Sequence, residues 1–83
     1  MEQHNVTDVM HNLETGDTFT INGFTQTFTV TNTMFDGEII VMEGPQGGEK
    51  SLVENINSGN VAIQNSRSKT VGTLTEINMV QVV

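Results

Sequence analysis

Glu43 and Glu49 bracket the run Gly44-Pro45-Gln46-Gly47-Gly48, and two carboxylates so placed could divide acid and base roles. Across a pair of strands they would also face each other as like charges, which destabilises a ladder unless salt screens them or Lys50 leans between them. Nothing in the surrounding residues suggests a cleft at this turn, so a catalytic dyad is not the expected reading. The three glycines equally resemble a phosphate cradle, but such loops run into a helix N-terminus, usually beside a lysine. Here Glu49 precedes Lys50, and the next residues are strand-like. Pro45 presets the first corner of a turn and Gly47 accepts a positive φ, so the run is expected to be a hairpin turn.

The remaining reactive types are sparse. His4 and His11 lie seven apart, too distant on a helix to share a metal directly, although Asp8 between them would complete a transition-metal set. Solvated histidines are the better account. Ser51, Ser58, Ser66 and Ser68 would each need a positioned base, and no histidine follows residue 11. Cysteine is absent, which removes disulfides and thiolate chemistry. Arg67 and Lys69, in the polar segment Asn65-Ser66-Arg67-Ser68-Lys69, form the sole basic spot, suited to a phosphate or an acidic partner. The interaction candidates are therefore Arg67, Lys69, Glu43 and Glu49, with no catalytic residue, cofactor or metal assigned.

The charge balance narrows the partners. Three basic against ten acidic side chains leave a formal net charge of −7. Nucleic-acid affinity comes largely from neutralised phosphates, and anionic lipid would repel such a surface. Acid excess with two lysines fits a cytoplasm rich in salt. No secretory signal is visible, and the longest apolar run, Ile39-Ile40-Val41-Met42, is far short of the ~20 residues of a membrane helix. A cytoplasmic location is expected.

The elements that must position these residues are mostly strands. Thr, Val and Ile fill about a third of the chain, and β-branched residues favour the pleated environment. Residues 1–16 are expected to form a helix or arm: Val6, Val9, Met10 and Leu13 recur at helical spacing, Asn5 can cap and Gly16 can terminate. Residues 17–83 read as a single β-barrel domain. From Asp17 the period becomes two. Asn22-Gly23 predicts a tight hairpin that sets Ile21 opposite Phe24, Phe19 opposite Gln26 and Asp17 opposite Phe28. A longer loop over residues 22–26 is the alternative. The tight hairpin puts Phe19, Ile21, Phe24, Phe28 and Val30 on one face and Thr18, Thr20, Thr25, Thr27 and Thr29 on the other; the longer loop would keep the second strand from about Thr27 to Thr33. The threonine stripe is an ordinary solvent face or an edge ready for another strand.

Asp36-Gly37 marks the next turn, and Glu38–Met42 is apolar on both faces, as in a central strand covered on two sides. A return strand spans residues 49–56, a short one 61–63, and the last 70–82, with a bulge near Met79 where the apolar phase shifts. The expected fold is all-β, a small barrel of five or six antiparallel strands with a short N-terminal helix or arm, because closure removes exposed edges.

Three segments carry a family resemblance: Gly16-Asp17-Thr18-Phe19-Thr20-Ile21, Thr27-Phe28-Thr29-Val30-Thr31 and Glu43-Gly44-Pro45-Gln46-Gly47-Gly48-Glu49. Together they resemble small acidic proteins of halophilic archaea whose function is unknown, over about residues 13–65. The strand pattern is similar to SH3-like barrels of the KOW and Tudor type. The chain lacks the basic residues and the tyrosine or tryptophan of their nucleic-acid-binding members. The resemblance implies a fold and a salty cytoplasm and supplies no catalytic residues. The expected function is a non-enzymatic protein-interaction module with an unknown protein partner. The alternatives are a nucleic-acid-associated barrel and an enzyme of unrecognised type.

Overall fold

The computed structural model describes residues 4–83, which form one eight-stranded antiparallel sheet curled into a half-barrel, with little helix. In chain order the strands are β1 (His4–Asn5), β2 (Thr18–Ile21), β3 (Thr27–Met34), β4 (Ile39–Glu43), β5 (Glu49–Glu54), β6 (Val61–Asn65), β7 (Thr70–Leu74) and β8 (Met79–Val82), with α1 (Val6–Met10) after β1. Their order in the sheet is β1-β8-β2-β3-β4-β5-β6-β7. The all-β expectation holds, with eight strands instead of five or six. Among the described residues no helix is long and apolar enough to cross a membrane.

The two additional strands have separate origins. One is the two-residue β1, which pairs with β8. The other comes from a break in the expected long last strand, where residues 75–78 turn. Asn78 Oδ1 accepts from Thr75 N at 3.1 Å, and Asn78 N donates to Thr75 O at 2.9 Å. The chain thereby leaves β6 and crosses to pair with β2. The phase shift read as a bulge near Met79 is this change of partner.

The Asn22-Gly23 turn forms, since Phe24 N donates to Ile21 O at 3.0 Å and Gly23 has φ +90°. It does not set the hairpin register. Thr25 and Gln26 extend the loop, so Phe19 pairs with Phe28 and Thr20 with Thr27. Asn22 is held by β8 instead: its Oδ1 accepts from Met79 N at 2.6 Å. The shift is two residues, so parity survives, and Phe19, Ile21, Phe28 and Val30 remain buried together. Phe24 sits at the border of that face, its ring edge-on to Phe28 at 6.4 Å between centroids, and is 40% exposed.

The curled sheet buries its concave face against itself and α1. Asn5 caps the helix through Oδ1, accepting from Thr7 N at 3.1 Å. The helix ends at Met10, well before Gly16, and two valines and a threonine in five residues make it a poor helix alone. Burial of Val6, Val9 and Met10, with Leu13 beyond, holds it; full burial of one such side chain contributes about 1.5–3 kcal/mol. β4 is covered on one face only, with Ile40 and Met42 buried and Ile39 and Val41 half-exposed, because no second layer among the described residues lies over the convex side.

Phe35, Asp36 and Gly37 take φ values of 53°, 55° and 91°, three successive left-handed residues that reverse the chain between β3 and β4. A Cβ on Gly37 would lie 2.5 Å from Met10 O and 2.8 Å from His11 Cα. Gly37→Ala combines that clash with left-handed strain of roughly 1–2 kcal/mol and should lower stability by about 2 kcal/mol or more in urea unfolding. Gly16 has φ +98° but open space around it, so Gly16→Ala should cost only the strain, on the order of 1 kcal/mol.

Candidate interaction surface

The register gathers the sequence candidates at one end of the sheet. Glu43 pairs directly with Glu49, Met42 with Lys50, and Lys50 in turn with Asn65. The β4–β5 turn and the β6–β7 loop therefore share a rim, and Glu43, Glu49, Arg67 and Lys69 all lie on it, exposed.

The β4–β5 run is the expected turn. Gly47 N donates to Gly44 O at 2.9 Å, Gly44 N to Gly48 O at 3.2 Å, and Gly47 has φ +79°. A shallow cleft of about 340 Å³, which the sequence did not announce, opens beside it between Gly44, Pro45, Gly48 and Lys50 on one side and Thr25 and Gln26 on the other. It exists because the 22–26 loop is longer than an Asn-Gly hairpin. Glu43 and Glu49 do not line it, so the two acids share a ladder position rather than a pocket.

The basic loop is a rigid mount. Asn65 Oδ1 accepts from Arg67 N at 2.9 Å and from Lys69 N at 3.1 Å, while Ser68 N donates to Asn65 O at 2.9 Å. Ser68 sits at φ +61°. With the backbone donors satisfied inside the turn, both long side chains extend to solvent. Among the described residues, Lys50, Arg67 and Lys69 form no salt bridge.

β7 follows directly. It is the last strand of the sheet, paired on one side with β6 and on the other with no strand among the described residues. Thr70, Val71 and Thr73 are exposed, Val71 at 54%, and the strand Thr-Val-Gly-Thr-Leu carries no charge. A convex apolar row leads to it: Met34 pairs with Ile39, Ile39 with Val53, Val53 with Ala62 and Ala62 with Thr73. Sequence reading missed this edge by joining β7 to β8; the signal available was the turn-forming Asn78 after Thr75. The threonine stripe survives as the cross-strand pairs Thr18–Thr29 and Thr20–Thr27, with Thr25 displaced into the loop.

The histidines diverge. His4 and Asp8 line a groove with Asn12 and Asp17. His11 lies against other residues, with Nδ1 2.9 Å from the Asp36 carbonyl and Nε2 3.3 Å from Glu54 Oε1. Both neighbours only accept, so the ring donates to both only as the imidazolium and to one of them when neutral. Among the described residues, no three His, Cys, Asp or Glu side chains are grouped to hold a metal. No protein-family model matches the chain, and no curated protein or solved structure is significantly similar to it.

Two outcomes follow. Replacing Glu49 by Lys puts an opposite charge across from Glu43 and should stabilise the fold by roughly 0.5–1 kcal/mol, read by urea unfolding at low salt and shrinking as salt rises. The Asp36 carbonyl, aided by the Glu54 and Glu38 carboxylates, raises the His11 pKa above 6.5 despite slight desolvation. A raised folded-state pKa adds stability that is complete below the unfolded value and lost as pH rises through the folded value. The melting temperature should therefore fall from pH 6 toward alkaline pH, and His11→Gln should flatten that slope.

Proposed function

We propose that the chain is a non-enzymatic protein-interaction module that docks partners on the free edge of β7, in a cytoplasm rich in salt. The observation that carries the reading is the edge itself: an uncharged, exposed strand with no strand on its outer side among the described residues, beside the two mounted cations Arg67 and Lys69. Solvent-facing edges are ordinarily blunted by charge, proline or a bulge that turns them away. β7 has a register shift at Val71 but neither charge nor proline, and such an edge accepts an added strand through main-chain hydrogen bonds from Gly72 onward. The cations suit a partner with acidic residues flanking its strand. The salt-rich setting and the SH3-like relationship belong to the proposal and rest on the sequence.

Gly72→Lys tests it. A Cβ there meets Ile63 Cδ1 at 3.6 Å and Ile63 Cβ at 4.0 Å, ordinary contacts, and no positive φ is needed, so the backbone accepts the side chain while a lysine places a charge on the edge strand. Affinity capture from the source organism in molar salt should retain a partner on the wild-type chain and lose it on Gly72→Lys. Equal retention by both baits would refute docking through this edge.

A further inference from the structure

We infer that Lys50 and the cleft beside it bind the carboxylate of a small organic acid, a monoanion held at one open end of the curled sheet. The inference does not depend on strand addition at β7.

The pleat decides where the charge of Lys50 goes. Leu52 of β5 is fully buried, and Lys50 lies two residues before it, so both project from the concave face. Its cross-strand neighbours are Met42, also fully buried, and Asn65. Glu43 and Glu49 pair at the next position of the ladder, with the opposite parity, and leave from the convex face. The lysine is half-buried and both acids are exposed. An ammonium thus sits at the mouth of the half-barrel, with the acids beside it in the ladder turned to the other face.

The side chain of Lys50 folds back over the β4–β5 turn, since Nζ lies 3.8 Å from where a Cβ on Gly48 would be. On the facing wall, Gln26 Oε1 lies 2.8 Å from where a Cβ on Gly44 would be, so glycine at 44 gives the carboxamide its place. Thr25 adds a hydroxyl and Pro45 an apolar ring. Among the described residues, the side chains of Thr25, Gln26 and Lys50 form no hydrogen bond or ion pair. An ammonium, a carboxamide and a hydroxyl therefore share one cleft of about 340 Å³ with their donors uncommitted.

That volume is at the low end of the roughly 300–1,000 Å³ of ligand sites, so the occupant is small. One cation in a chain of net charge −7 suits a single negative charge, and a dianion would meet the field of the acids. A carboxylate fits: one oxygen accepts from the ammonium in a charge-assisted bond while the other accepts from the amide or hydroxyl. The ring of Pro45 then meets its organic body.

Amide NMR shifts of the isotope-labelled full chain, followed as N-acetylglycine is added at neutral pH and constant ionic strength, test the inference. Thr25, Gln26, Gly44 and Gly48 should shift together and saturate, with a dissociation constant on the order of 1–10 mM. Lys50→Gln, which removes the charge, should weaken binding about tenfold. Gly44→Ala displaces Gln26 without needing a positive φ and should weaken it roughly threefold. Lys69→Gln, on the neighbouring loop, should leave it unchanged, and each variant's spectrum reports on its own fold. Shifts that do not saturate, wild-type binding by Lys50→Gln, or an equal loss in Lys69→Gln overturns the site. Tighter binding of sulfate overturns the assignment to a monoanion, and tighter binding of acetyl-tetraglycine overturns the free acid in favour of a peptide terminus.

Discussion

A single sheet with no second layer must bury one face against itself, and this chain meets that constraint by curling around one small helix. Met10 is fully buried beneath the sheet, and the left-handed turn at Phe35–Gly37 presses on the backbone of Met10 and His11. That contact seats the β3–β4 reversal against the end of the helix. His11 closes the same junction from outside by bridging the Asp36 carbonyl and Glu54.

Curling has a consequence for the edges. The sheet stops at a half-barrel, because residues 75–78 carry the chain across the gap instead of continuing β7 along a neighbour. One boundary is softened by β1, which caps β8 over two residues. The other, β7, ends the sheet with exposed threonines and a valine. The rim above it holds a like-charge pair, a glycine-rich turn and a basic loop, each locked by its own backbone hydrogen bonds. The surface thus offers rigid shape and separated charges, which recognition uses, and its acids do not converge.

Much of this was legible in the residues. The alternation of Phe19, Ile21, Phe28 and Val30 gave the buried face correctly even though the hairpin register was two residues off, since a shift of two preserves parity. Pro45 and Gly47 specified their turn by local geometry, and the direct Glu43–Glu49 pairing followed from it. Asn5 announced its cap. The short helix was legible in the spacing of Val6, Val9 and Met10, and it stops at Met10 although Leu13 beyond it is also buried.

The sequence by itself determined the all-β class, the faces that β2 and β3 bury and the position of most turns, because side-chain period and φ preference are local properties. Tertiary structure alone decided the strand order, the break between β7 and β8, the single covered face of β4 and the separate surroundings of His4 and His11. Each of these depends on which partner a backbone segment finds. That choice is set by long-range closure around the helix: Asn22 binding Met79 across 57 residues is invisible in any local pattern.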